Sequence, residues 1–179
     1  MIARRKGKAK AERPGIPGRI EYRIEVAVDD KRFRREISGL KDFCFEICVA
    51  AIAVTPLAKH FFAIEINLML ANDETVRGLN HQFRGKDKPT NVLSFPLEEL
   101  NLKNYRKFTP DFVMLGDIVV AYETVKREAA TQGKKFSDHL RHLLIHAALH
   151  LAGYDHGKQM EKLEIEVLKR YGINNPYII

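Results

Sequence analysis

His146-Ala-Ala-Leu-His150-Leu-Ala-Gly153-Tyr154-Asp155-His156 places three histidines at relative positions 1, 5 and 11, with a glycine at position 8. Residues four apart share one face of a helix, so His146 and His150 can grip one ion from the same side. Gly153 can end that helix in a left-handed conformation and turn the chain, bringing His156 back to the same point. Three imidazoles with an open fourth position are the usual ligand set of a catalytic zinc. Nickel, copper and cobalt stay open on ligand type alone.

The pattern around this stretch sets the fold class. Ser137 or Asp138 is expected to cap the histidine-bearing helix, and Gly133 separates it from a helix beginning at Glu123. A last helix is expected over residues 158–171, stopping at Gly172. Upstream, Tyr22, Ile24, Val26 and Val28 alternate with Glu21, Arg23 and Glu25, which is strand period. Residues 63–70, 90–97 and 113–122 read as three further strands, with a polar loop over 98–111. Residues 40–54 read as a buried helix closed by Thr55 and Pro56. Asn72 and Asp73 suit the start of a short helix through His81, with Val76, Leu79 and Phe83 as its apolar stripe. Strands early and helices late predict a single α+β domain. Its small mixed four-stranded sheet is packed with helices, and the histidine helix lies near the C-terminal end. Strands 63–70 and 90–97, separated by a helix, are expected to be parallel neighbours.

Composition narrows the setting. The chain has 179 residues, 45% apolar and 30% charged, enough for one domain with its own core. Cys44 and Cys48 sit four apart in an apolar run and read as core residues, which fits a reducing compartment. The net charge of +7 is concentrated at the N-terminus. Residues 1–20 hold seven Lys/Arg and one acid, Glu12, and the rest of the chain is close to neutral. Residues 1–18 are therefore expected to form a basic, flexible tail, and residues 19–179 the domain. Such a tail either adds non-specific contact with nucleic acid or is simply solvated. No apolar segment follows Arg4 and Arg5 as in a signal peptide. The most apolar run, residues 43–58, carries Glu46 and Pro56 and falls short of the ~20 residues of a membrane-spanning helix. A cytoplasmic protein with no membrane partner is expected.

The histidine spacing matches the zinc-protease pattern His-Glu-x-x-His-x-x-Gly-x-x-His in all but one respect. The glutamate that serves as general base there is Ala147 here. The chain offers a metal cage without the protease base. His142, four before His146, shares the ligand face as an alternative ligand, a proton shuttle or a supporting group, and Asp155 can accept a hydrogen bond from a ligand histidine, act as a base for water or cap the last helix. A second stretch, residues 80–96, gathers Arg84, Lys86 and Lys88 around Asp87 before an apolar strand. A guanidinium binds two phosphate oxygens at once, so Arg84 is the candidate phosphate ligand. In isolation the same cluster reads as a solvated turn.

Residues 146–156, the block from Phe83-Arg84 to Phe95-Pro96, Leu115-Gly116-Asp117-Ile118 and the closing Tyr171-Gly172-Ile173 and Asn175-Pro176-Tyr177 together resemble the YbeY family of bacterial rRNA-maturation endoribonucleases. The resemblance spans about residues 20–177. It implies a single-strand-specific, metal-dependent endoribonuclease acting on 16S rRNA and in quality control of the ribosome, with the small subunit as partner. It maps the metal ligands onto His146, His150 and His156, and the family's active-site arginine onto Arg84. His150 and Arg84 are then the residues on which activity should depend. Two positions depart from the family pattern: Ala147 stands for the usual glycine and Asn91 for the usual aspartate. Alanine suits a helix interior better than glycine, whereas Asn91 removes a charge. Two other readings stay open: a zinc hydrolase with an unorthodox base, and a non-enzymatic ribosome assembly factor with a structural metal. Against the latter, structural sites usually close the coordination sphere with four protein ligands.

Overall fold

A computed structural model describes residues 20–97, 100 and 102–177. The basic tail expected over 1–18 lies outside the described residues. Chain order runs through β1 (Glu21–Val28), α1 (Phe33–Glu36), α2 (Leu40–Ala53), α3 (Leu57–His60), β2 (Ala63–Ala71), α4 (Asp73–Arg84), β3 (Val92–Pro96), β4 (Phe112–Ala121), α5 (Tyr122–Thr131), α6 (Phe136–Leu151) and α7 (Lys158–Lys169). This is the α+β domain with a four-stranded mixed sheet that the pattern predicts.

The sheet order is β1-β2-β4-β3. β2 pairs in parallel with β1 and with β4, and β3 runs antiparallel on the outer edge of β4. The expected parallel pairing of strands 63–70 and 90–97 is therefore wrong: β4 takes the seat beside β2. The residues explain why. Along β4, Val113, Leu115, Ile118, Val119, Val120 and Ala121 are all buried, as a central strand covered on both faces requires. β3 has five residues and ends in Pro96, which has no N–H to give a ladder and so belongs at an edge.

A register shift in β4 keeps its apolar side chains pointing inward. Glu65 pairs with Met114 and Ile66 with Gly116, so one residue is extra and the alternation changes phase. Val113 and Leu115 before the shift and Ile118 and Val120 after it all reach the same core. Gly116 has φ 140, and a Cβ there would lie 2.1 Å from the Phe95 carbonyl oxygen of β3. Only glycine lets the edge strand pack this closely.

The sheet has two unequal sides. The larger core joins Tyr22, Ile24, Ile64, Ile66, Leu68 and Leu70 to α2, α6 and α7. On the other side, Val76 of α4 covers Ala71, Leu93, Val119 and Ala121. The Asn72 side chain caps α4 by accepting from Thr75 N–H at 2.8 Å. α4 extends one turn past the expected end at His81, to Arg84, where Gly85 at φ 66 closes it. The expected cap of α6 at Ser137 or Asp138 is not formed: the helix starts at Phe136 after Lys135, with no side-chain cap bond. Cys44 and Cys48 are free, buried thiols of α2, and burial pushes Cys44 up to about 12. No helix among the described residues is long and apolar enough to cross a membrane.

Candidate metal centre

α6 is buried on nearly every side, through Leu140, Leu143, Leu144, Ala147, Ala148, Leu149 and Leu151. His142, His146 and His150 run four apart along a line that is only partly buried. A helix so apolar needs burial to be stable, and this line is where it meets solvent. After Leu151 the chain reverses. Gly153 takes φ 87 and its N–H donates to the His150 carbonyl at 3.0 Å, while Tyr154 N–H donates to the Leu149 carbonyl at 3.1 Å. The left-handed turn expected of Gly153 is thus formed, and it returns His156 to the helix face.

The Nε2 atoms of the three histidines converge. They lie 3.1 Å apart between His146 and His150, 2.8 Å between His150 and His156, and 3.3 Å between His146 and His156. Two rings are held from behind. The Tyr154 carbonyl can only accept, so His150 Nδ1–H donates to it, at 2.8 Å. Glu164 of α7 is 1% exposed. Burial alone would push its carboxyl up, but hydrogen bonds from His146 and Tyr177 outweigh this and hold it below the usual carboxylate range. It is therefore ionised, and His146 Nδ1–H donates to it at 2.7 Å. The Tyr177 hydroxyl donates to its other oxygen.

These contacts fix the chemistry of the facing nitrogens. With the proton on Nδ1, each Nε2 turns its lone pair toward the shared centre. Lone pairs at such distances repel, and a cation between them converts the repulsion into coordination. Nitrogens at tetrahedral corners, about 2.0–2.1 Å from zinc, stand about 3.3 Å apart. The observed spacings are close to that or slightly tighter. Burial, then the neighbouring His146, lowers His150 from its ordinary value, which favours the neutral form that binds metal. The three residues fit one metal ion, and no other group of three His, Cys, Asp or Glu side chains among the described residues does.

The remaining candidates fall in different places. His142 is not in the converging group: its ring lies 6.5 Å from that of His146 and meets Tyr177 edge-on at 6.1 Å. Burial pushes it down to about 4, so it is neutral. Asp155 is exposed and hydrogen-bonds to no cage histidine. The supporting contacts anticipated from it come instead from Glu164 and the Tyr154 carbonyl. Ala147 is 1% exposed, and a glutamate there would place a charge against the core. Arg84 sits exposed at the end of α4 and forms no hydrogen bond or ion pair with the cage among the described residues.

Asn91 has a clear partner. Its Nδ2 donates to Glu128 at 2.9 Å, and Glu128 also pairs with the buried His139. An aspartate at position 91 would bring a second carboxylate to Glu128 where the amide donates. Sequence reading missed Glu164 and Tyr177. The signal for Glu164 is its phase in α7: Met160, Glu164, Val167 and Leu168 form the buried stripe, so a carboxylate falls on the apolar face. A charge placed there needs a partner.

Comparison with known proteins agrees with this geometry. The family described as Endoribonuclease YbeY matches residues 26–174. An endoribonuclease YbeY of Sinorhizobium medicae is 46% identical over 169 residues, 88% of this chain and 95% of that protein. Its counterpart in Magnetococcus marinus is 46% identical over 123 residues, 64% of this chain and 84% of that protein. A solution structure from Thermotoga maritima shares 25% identity at a TM-score of 0.53, covering 87% of this chain and 99% of the other.

Proposed function

This chain belongs to the endoribonuclease YbeY family, and from that premise we propose that it cleaves single-stranded segments of 16S rRNA precursors during maturation and quality control of the ribosome. It is a hydrolase of the nuclease class. The observation that carries the reading is the trio of Nε2 atoms within 3.3 Å of one another, two of them oriented by hydrogen bonds at Nδ1.

His146, His150 and His156 would hold the metal, with zinc the first assignment for three imidazoles and nickel or another divalent ion the alternative. When bound, such an ion supplies Lewis-acid polarisation of a phosphoryl oxygen and a nucleophile at neutral pH. The chain's own residues do the rest. Glu164 and the Tyr154 carbonyl hold the two helix histidines in one tautomer and one orientation. Arg84 binds the phosphate and stabilises the charge that develops on it. Lys86 and Lys88 add attraction for the RNA backbone, and the tail over 1–18 adds non-specific contact. The cytoplasm, where ribosomes mature, is the proposed compartment. Ala147 speaks against a peptidase, because peptide cleavage must also protonate a poor leaving amine without the usual glutamate.

The test offers purified protein a single-stranded rRNA precursor segment, the same segment annealed to its complement, and casein. Cleavage of the single strand alone supports the proposal. Casein turnover, or equal cleavage of both RNA forms, contradicts it.

A further inference from the structure

Beside the cage, α7 and the C-terminal segment leave a cavity of about 250 Å³ lined by His146, His156, Met160, Glu161, Glu164 and Tyr177. Its walls differ in kind. Met160 and the Tyr177 ring are apolar, and the Tyr177 hydroxyl is tethered to Glu164, so the ring is held in place. Glu164 has both oxygens engaged, by His146 and Tyr177. The Glu161 side chain is half-buried and its carboxylate forms no hydrogen bond or ion pair among the described residues. An ionised carboxylate accepts hydrogen bonds and donates none.

These walls do not suit a phosphate. Two carboxylates repel the RNA backbone and attract N–H donors. The volume lies below the range of drug-sized pockets and fits one ring system. We propose that this cavity is a nucleobase subsite beside the metal cage, taking one unpaired base against the Tyr177 ring with its Watson–Crick edge on Glu161, and that it selects guanine.

The proposal rests on the RNA reading above and adds a base preference to it. Guanine presents an N1–H and an adjacent amino group, two donors that the two oxygens of one carboxylate accept together. Adenine and cytosine each place an amino group beside a ring-nitrogen acceptor. Uracil places one N–H between two carbonyls, which a carboxylate repels. Stacking of splayed-out bases on aromatic side chains is the general mode of single-strand recognition. A paired base has its Watson–Crick edge occupied and cannot enter, so the same cavity would contribute to single-strand selectivity.

Four fluorescein-labelled oligouridylates carrying G, A, C or U at one central position test this on the zinc-loaded protein. Affinity is read by anisotropy and cleavage by product position. The G oligomer is expected to bind tighter than the U oligomer by about fivefold to a hundredfold, the range of a bidentate base contact, with cleavage beside the G. Glu161→Gln should narrow that ratio to below about threefold. Tyr177→Leu should bind G about tenfold more weakly than Tyr177→Phe, since both lose the bond to Glu164 and only Phe keeps the ring. Preference is a ratio within one variant, so altered metal loading cancels; metal content is measured alongside. Wild type that cleaves RNA but binds all four alike overturns the subsite and leaves the RNA reading standing. A preference for another base, or a G preference that survives Glu161→Gln, also overturns it. Wild type that neither binds nor cleaves any RNA overturns both.

Discussion

The cage on α6 and the basic block between α4 and β3 are built in opposite ways. In the cage the side chains are pinned: Glu164 holds His146 at 2.7 Å and the Tyr154 carbonyl holds His150 at 2.8 Å. In the block the backbone is pinned and the side chains are not. Buried Asn80 donates to the Lys88 carbonyl at 2.7 Å, and Gly85 N–H donates to the His81 carbonyl at 3.0 Å. Arg77 pairs with Asp87, but Arg84, Lys86 and Lys88 are exposed and form no ion pair among the described residues. The contrast follows from the ligands each would take. A small ion demands fixed donors at about 2 Å, whereas a phosphate backbone in water tolerates long cationic side chains that settle on contact.

That contrast can be broken, or sharpened, one side at a time. Short of removing a cage histidine, the largest expected effect is on the block. Arg84→Ala should lower RNA cleavage by about a hundredfold or more, the usual cost of losing a donor to transition-state charge, with metal affinity unchanged. Single-turnover cleavage and metal titration on the same protein check both halves, and a parallel loss of metal would merge the two regions into one. Next comes Glu164→Ala, which should weaken metal binding by about tenfold to a hundredfold in competition with a chromophoric chelator. Metal affinity equal to wild type would show that His146 needs no support.

Much of this organisation was legible in the sequence. The histidine spacing, with Gly153 set to turn the chain, gave the cage, and the alternation and apolar runs gave all four strands. The strand pairing was less legible. Pro96 at the end of β3 and the apolar run of β4 point to an edge and a central strand, but the seat beside β2 is decided by burial on both faces, a tertiary fact. Glu164 was hidden for a similar reason. It lies 18 residues from His146 on another helix, and only its place on the buried stripe of α7 betrays it.

Smaller effects refine the comparison. Replacing Lys86 and Lys88 together by alanine should weaken RNA binding several-fold at low salt. The slope of log affinity against log salt should fall by about 0.7 for each phosphate no longer neutralised. An unchanged slope would take both lysines out of the interface. The smallest effect belongs to a polar cluster between α1 and α5 that includes no residue of the cage or the block. Hydrogen bonds from Lys126 and Tyr122 hold Glu36 below its ordinary value, and one from Arg32 does the same for Asp30. A depressed folded-state value stabilises the protein above the ordinary carboxylate range, and that contribution is lost as pH falls through the folded-state value. Thermal melts should therefore decline below about pH 4, less steeply in Glu36→Gln. An identical acid limb in the variant would remove Glu36 from the cause.

The central proposal is that the three converging histidines hold the metal on which RNA cleavage depends. Metal content and rRNA cleavage measured together on wild type and His150→Ala, after chelation and re-addition of zinc, test it most directly. One ion per wild-type chain is expected, with cleavage restored by zinc, and neither in His150→Ala. A His150→Ala protein that retains one ion and cleaves rRNA as wild type does would contradict it.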